Sequence, residues 1–228
     1  MDQINGGTME NIKAVIFDLD NTLLDRMKTF RDFTTSFVEV YFSHLNEAED
    51  IIARIVELDQ DGYKDKNELF IELLDELPWK VKPELIELLE YYSKHYVRSA
   101  CLMESAIEIV QYIKGSYKVG LITNGKTFIQ YGKIDQLGIR NLFDFILVSE
   151  EAGIKKPHSG IFQKAVEQLN LRADQCVYIG DHPVNDIEGA GKTGMSTIWF
   201  EVNQPWKEEV TIEPNYRIKH LRDLVEIL

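Results

Sequence analysis

Cysteine is scarce in this sequence: Cys101 and Cys176 are the two present, each among apolar neighbours. Neither lies in a C-x-x-C or other metal-ligand spacing, which excludes a disulfide framework and a thiolate metal site and predicts two buried free thiols. Long apolar runs are also lacking. No stretch approaches the roughly 20 residues needed to cross a bilayer, and Met1 to Glu10 has no basic start followed by an apolar run. A cytoplasmic protein with no membrane partner is expected. Positive charge is in short supply, with 25 Lys and Arg against 38 Asp and Glu and a formal net charge of −13. Such a surface repels polyanions, so a nucleic-acid partner is not expected. A small phosphate ester stays compatible with it, provided that a local cation, a metal ion or a group of backbone N–H donors receives the anion.

What is present is an ordinary globular composition, 44% hydrophobic and 28% charged, without low-complexity tracts. A length of 228 residues suits a core with a smaller insert. Met1 to Thr8, with its Asn-Gly-Gly, reads as a loose leader ahead of Met9, a second possible start.

Short apolar runs recur at Ala14 to Phe17, Val119 to Ile122, Phe145 to Val148, Cys176 to Ile179 and Thr197 to Phe200. Continuous runs of this kind suit strands covered on both faces, as in a parallel sheet. Helical patterns lie between the later runs, at Ser105 to Lys114, Phe128 to Leu137, Ser159 to Leu169 and Asn185 to Lys192. The alternation predicts an α/β fold, a Rossmann-like doubly wound parallel sheet. Tyr216 to Lys219 reads as a last edge strand and His220 to Leu228 as a closing helix.

Met27 to Arg98 breaks the alternation, since it shows amphipathic repeats such as Phe30, Phe33, Phe37, Val38 and Tyr41 but no strand. It predicts an all-helical insert over 26–99, with a core formed by 10–25 and 100–228 and linkers near Asp25 and Ser99. The aromatic residues of the insert are assigned to its own core.

Ligands of open α/β sheets bind beyond the carboxyl ends of the strands, and four of those ends are polar. Asp18 and Asp20 follow the first run, at a spacing that lets both side chains leave the strand the same way. Two carboxylates there repel each other unless a cation or a shared proton intervenes, and their hard oxygen atoms suit Mg²⁺. Thr123-Asn124-Gly125 follows the second run and could present a hydroxyl and N–H groups to a phosphate. Lys156 lies beyond the third, ahead of Pro157, and Asp181 and Asp186 follow the fourth. Each pattern alone reads as a helix cap, a turn or a surface lysine. Four at the same edge of one sheet point to a shared site.

Two other patterns are set aside. Gly189 to Gly194 satisfies G-x-G-x-x-G but precedes a strand, the reverse of the dinucleotide context, and its Gly191-Lys192-Thr193 lacks the leading glycine of a P-loop because Asp186 stands there. His158 and His182 flank the polar segments and could touch substrate, although loop histidines without a partner pattern are usually structural or solvated.

Asp18-x-Asp20-x-Thr22, Thr123, Lys156 and Gly180-Asp181 to Asp186, in that order, resemble the four motifs of the haloacid dehalogenase superfamily, and the helical insert after the first motif resembles its C1 cap subclass. The resemblance implies a sheet of order 5-4-1-2-3, a cap that closes over the site and sets substrate choice, and a magnesium-dependent phosphatase. Asp18 would be the nucleophile that forms an aspartyl-phosphate, and Asp20 the general acid and base. Mg²⁺ would be held by Asp18, the backbone carbonyl of Asp20, Asp181 and Asp186; Thr123, Asn124, Gly125 and Lys156 would hold phosphate. The substrate class implied is a small phosphorylated metabolite, a nucleoside monophosphate or a sugar phosphate. Ile122 to Gly125 and Val148 to Gly153 resemble the branch containing pyrimidine 5′-nucleotidase-like enzymes. A phosphoglucomutase-like isomerase keeps every motif, but Asn21 replaces the glycine common in that branch. A haloacid dehalogenase needs neither Asp20 nor Asp181, and a non-catalytic phosphate sensor needs no acid and base.

Overall fold

The computed structural model describes residues 2–3, 9–46 and 48–228, which divide into two compact units, Met1–Leu24 with Leu102–Leu228, and Asp25–Cys101. No helix among the described residues is long and apolar enough to cross a membrane.

The first unit is built on a sheet whose strands are β1 (Asp2–Gln3), β2 (Ala14–Phe17), β3 (Lys118–Thr123), β4 (Phe145–Val148), β5 (Cys176–Gly180), β6 (Ser196–Phe200) and β7 (Tyr216–Ile218). Their order across the sheet is β1-β7-β6-β5-β2-β3-β4. The six strands β2 to β7 run parallel, and counted among themselves they give the order 6-5-4-1-2-3, which contains the implied 5-4-1-2-3. The central strands read as apolar runs because both their faces are covered: every residue of β2 and β5 is buried. Register places Phe17 beside Leu121 and Ile179, so β2, β3 and β5 end at one level and deliver the residues that follow them to one edge.

The expected edge strand needs a correction. β7 forms at Tyr216–Ile218, but it is not outermost, because Asp2–Gln3 pairs antiparallel with it through Asp2 beside Arg217 and Gln3 beside Tyr216. The supposed leader thus contributes a strand; Met1 and residues 4–8 lie outside the described residues.

The second unit holds the helices α1 (Arg26–Phe42), α2 (Ala48–Asp59), α3 (Lys66–Glu76) and α4 (Leu85–Arg98). Asp25 caps α1 by accepting the Lys28 N–H. The aromatic repeats of α1 face inward: Phe30, Phe33 and Phe37 are buried, and Phe33 meets Tyr92 and Tyr96 of α4 edge to face. They form the core of this unit.

The remaining helices belong to the first unit: α5 (Ala106–Lys114), α6 (Thr127–Gln136), α7 (Ser149–Ala152), α8 (Ser159–Leu169), α9 (Gly189–Gly191) and α10 (Leu224–Ile227). The short helix expected from Asn185 starts earlier, as a π-type turn over Pro183–Glu188 that continues into α9. Proline at its start sacrifices no hydrogen bond, since a first-turn N–H has no partner within the helix. The closing helix is shorter than expected, a 3₁₀ turn at Leu221–Asp223 leading into α10. Cys176 is buried as expected, whereas Cys101 is half-buried, and both are free thiols.

Candidate active site

Asp18 is the first residue beyond β2, and its N–H donates to the Ile179 carbonyl at 2.9 Å, one more rung of the ladder to β5. The chain then turns sharply, with Asn21 in the left-handed region at φ 60° and the Leu23 and Leu24 N–H groups both donating to the Leu19 carbonyl. Asparagine tolerates that conformation better than most residues. Asp18 is left buried, its Oδ1 accepting from Lys156 Nζ at 2.5 Å and its Oδ2 lying 3.5 Å from the Thr22 hydroxyl.

Lys156 reaches this point because its backbone is gripped. The Asn124 side chain accepts the Lys156 N–H at 2.9 Å and donates to the Lys156 carbonyl at 3.0 Å, joining the end of β3 to the lysine loop. The Lys156 ammonium, 3% exposed, donates to Asp18 and also to Asp186 Oδ1 at 2.7 Å and the Tyr178 hydroxyl at 3.0 Å, with the Ile122 carbonyl oxygen 3.2 Å away. Burial alone would lower its pKa, but the carboxylates of Asp18 and Asp186 outweigh this and hold it well above the usual lysine range. Burial pushes the Asp18 carboxyl up to about 7 against the pull of Lys156, and the nearby Asp186 carboxylate pushes the same way.

Asp181 and Asp186 come from the segment beyond β5. Asp186 Oδ2 accepts the His182 N–H at 3.0 Å, and the indole N–H of Trp199 on β6 donates to the Asp181 carbonyl at 2.8 Å. A Cβ on Gly180 would stand 2.5 Å from Asp186 Cγ, so glycine is what lets Asp186 fold back over the strand end. Carboxylate oxygens of Asp18, Asp181 and Asp186 lie within 4.8 Å of one another, and all three residues are buried.

This donor set fits a hard divalent cation. Three buried carboxylates face one buried ammonium, which contacts two of them. The surplus negative charge is costly without a further cation. An all-oxygen set, with neither thiolate nor imidazole, suits Mg²⁺ better than a softer metal. The Asp20 carboxylate is not one of the three. It turns instead to α6, where Lys133 Nζ contacts both its oxygens and Gln130 Nε2 donates to Oδ2.

Thr123 is buried at the end of β3, and its hydroxyl accepts from Gln130 Nε2 at 2.5 Å. The Gly125 N–H donates to Ser149 Oγ at 3.0 Å. The structure therefore brings Asp18, Lys156, Asp181 and Asp186 into contact range and places Thr123 and Asp20 side by side through Gln130. It commits both ends of the Asn124 amide to the lysine loop. His158 and His182 are capping residues: Nδ1 of His158 accepts the Gly160 N–H, and Nδ1 of His182 accepts those of Val184 and Asn185.

Gln130, Lys133, Tyr178 and Trp199 escaped the sequence reading. A signal for the first two exists in α6, whose buried face carries Gln130 and Lys133 while Phe128 is 72% exposed. An inward lysine and an outward phenylalanine on one short helix are the reverse of ordinary amphipathicity.

Residues 15–200 match the family described as haloacid dehalogenase-like hydrolase. The chain is 31% identical to the glyceraldehyde 3-phosphate phosphatase of Pyrococcus furiosus over 240 aligned positions, covering 96% of this chain and 94% of that one. It is 32% identical to the pyrimidine 5′-nucleotidase YjjG of Escherichia coli, over 55% of this chain and 56% of that one. The crystal structure of the HAD-hydrolase YfnB of Bacillus subtilis, solved bound to magnesium, superimposes with a TM-score of 0.79 at 24% identity, over 96% of this chain and 99% of that one.

Proposed function

Since the chain belongs to the haloacid dehalogenase-like hydrolases and is a phosphatase among them, we propose that it hydrolyses a small phosphomonoester in a Mg²⁺-dependent reaction through an aspartyl-phosphate on Asp18. The observation that carries this reading is the division of labour between the two carboxylates of the first motif. Asp18 is buried among Lys156, Asp181 and Asp186, whereas the carboxylate of Asp20, two residues on, is held by Lys133 and Gln130 of α6.

Lys156 takes Asp18 Oδ1 and so fixes the carboxylate, which leaves Oδ2 for attack on phosphorus. Asp20, kept off the carboxylate cluster, is the proton carrier. It gives a proton to the leaving oxygen in the first half-reaction and takes one from water in the second. Thr123 receives a non-bridging oxygen of the phosphoryl group, and Lys156 receives another by exchanging one of its present acceptors for it. The Asn124 side chain serves indirectly, by fixing the Lys156 backbone, and the Gly125 N–H, bonded to Ser149 Oγ, would have to leave it to meet a phosphate oxygen. Asp18, Asp181, Asp186 and the Asp20 backbone carbonyl would hold Mg²⁺, which would supply the charge neutralisation that a carboxylate needs to attack a phosphate dianion.

Residues 26–99 are read as the C1 cap of the family. A short sugar phosphate is the preferred substrate class, because the similarity to a glyceraldehyde 3-phosphate phosphatase spans nearly the whole of both chains while that to a pyrimidine nucleotidase spans about half. A panel of sugar phosphates and nucleoside monophosphates, assayed with Mg²⁺ and again with EDTA, tests the reading. Turnover should stop with EDTA, return with Mg²⁺ and be highest on a triose or pentose phosphate. Undiminished turnover in EDTA overturns the metal assignment, and preference for pyrimidine nucleotides overturns the substrate class.

A further inference from the structure

Three hydrogen bonds from one helix fasten the Asp20 carboxylate. Lys133 Nζ donates to Oδ1 at 2.6 Å and to Oδ2 at 2.8 Å, and Gln130 Nε2 donates to Oδ2 at 2.8 Å. Gln130 and Lys133 are three residues apart on α6, so both point to the same side of it. The same Gln130 Nε2 donates to Thr123 Oγ1. The orientation of the amide is not arbitrary: a carboxylate only accepts, so the nitrogen must face Asp20. Having accepted that N–H, the Thr123 hydroxyl has its own proton left to give to another acceptor.

Stability does not explain this arrangement. Lys133 is 2% exposed, and a buried ion pair returns little beyond what desolvation of its charges costs. A leucine in its place would be the ordinary choice for the inner face of a helix. Room has been kept for the neighbour as well: Gly125 has φ +148°, and a Cβ there would come within 3.0 Å of Gln130 Cγ and Cδ.

We propose that Lys133 and Gln130 are positioning residues for the phosphatase reaction, Lys133 holding the Asp20 carboxylate where it exchanges protons and Gln130 aligning the Thr123 hydroxyl toward the phosphoryl oxygens. The inference rests on the reading of Asp20 as acid and base. Two signatures follow. Lys133 acts through Asp20, so removing its ammonium costs turnover while leaving substrate binding nearly intact. Gln130 acts also through Thr123, so its loss weakens the grip on phosphate.

The test is a double-mutant cycle of Asp20→Asn and Lys133→Met on the full chain with Mg²⁺, following phosphate release long enough to register a loss of about 10⁴-fold. Lys133→Met is expected to lower kcat by roughly tenfold or more with KM changed less than about threefold. In the Asp20→Asn background the same substitution should change kcat by less than about twofold. Equal losses in both backgrounds, or a wild-type kcat for Lys133→Met, overturn the proposal. Should Lys133→Met not fold, Gln130→Met decides: a severalfold rise in the inhibition constant of inorganic phosphate is expected, and an unchanged constant overturns the proposal. A wild-type kcat for Asp20→Asn alone would instead sink the acid and base reading on which the inference stands.

Discussion

The hydroxyl of Tyr178 stands 3.0 Å from the Lys156 ammonium and 3.2 Å from the Ile122 carbonyl oxygen, so one buried phenol joins the middle of β5 to the side chain that grips Asp18. An ammonium has three protons, and Lys156 has four oxygen neighbours, Asp18, Asp186, Tyr178 and Ile122. The count closes if Tyr178 gives its own proton to Ile122 and accepts one from Lys156. Burial raises the phenol well above its ordinary pKa, so it keeps that proton.

Tyr178→Phe removes this hydroxyl and leaves the ring, with its edge-to-face contact to Phe162, in place. The loss of one buried hydrogen bond should cost about 0.5–1.5 kcal/mol of stability in urea unfolding. Because Lys156 loses an anchor beside the nucleophile, kcat should also fall, by roughly three- to tenfold. Steady-state kinetics and urea titration of the same preparation check both, and an unchanged kcat would separate Tyr178 from the function of Lys156.

Gly180→Ala should be more damaging than its size suggests. The new Cβ would meet Asp186 Cγ and Oδ2 at 2.5 Å, and Asp186 is held by both Lys156 and the His182 N–H. Overpacking of this sort costs typically 1–3 kcal/mol. The displaced carboxylate should also weaken metal retention, seen as a rise in the Mg²⁺ concentration giving half-maximal activity. A variant with wild-type melting temperature and Mg²⁺ requirement would show that Asp186 has room to move.

How the sequence foretold these features differs from residue to residue. The strand runs were legible because a parallel strand buried on both faces has no polar positions to blur it, as in Ala14 to Phe17. Asp18, Thr123 and Asp181 were legible because they stand at the ends of such runs, and Lys156 because it lies in the loop beyond one, ahead of Pro157. Tyr178 was not, because a tyrosine inside an apolar run reads as core, and its hydroxyl contact with Lys156 spans 22 residues of chain. Lys133 and Gln130 reach Asp20 from 113 and 110 residues away, a pairing that no local spacing encodes. The strand at Asp2–Gln3 escaped for a related reason: two residues carry no periodicity, and their partner lies at the other end of the chain.

The two cysteines should respond differently to thiol reagents. Burial pushes the Cys176 thiol up to about 11, with Asp174 adding to the effect, and its side chain is fully enclosed. The thiolate is the reactive form, so at pH 8 Cys176 is both protonated and shielded. Mass spectrometry after iodoacetamide treatment should show modification confined to the half-buried Cys101 in the native protein, and both thiols modified in urea. Equal labelling of the two in the native state would contradict the burial of β5.

The covalent step has its own signature in how products divide. If every substrate passes its phosphoryl group to Asp18, the leaving group has departed before water arrives, and all substrates share one aspartyl-phosphate. An added alcohol then competes with water for that single species. In buffer containing methanol, the ratio of methyl phosphate to inorganic phosphate should therefore be the same for a sugar phosphate and for p-nitrophenyl phosphate, although their leaving groups differ greatly in basicity. Direct attack by water would make the ratio depend on the substrate, because the leaving group would still be present when the acceptor is chosen. Phosphorus NMR of the two reaction mixtures measures the ratio. Asp18→Asn should yield neither product at an appreciable rate, since a neutral amide is a poor nucleophile; a folded Asp18→Asn protein with normal kcat, or ratios that differ between substrates, would replace the covalent route with direct hydrolysis.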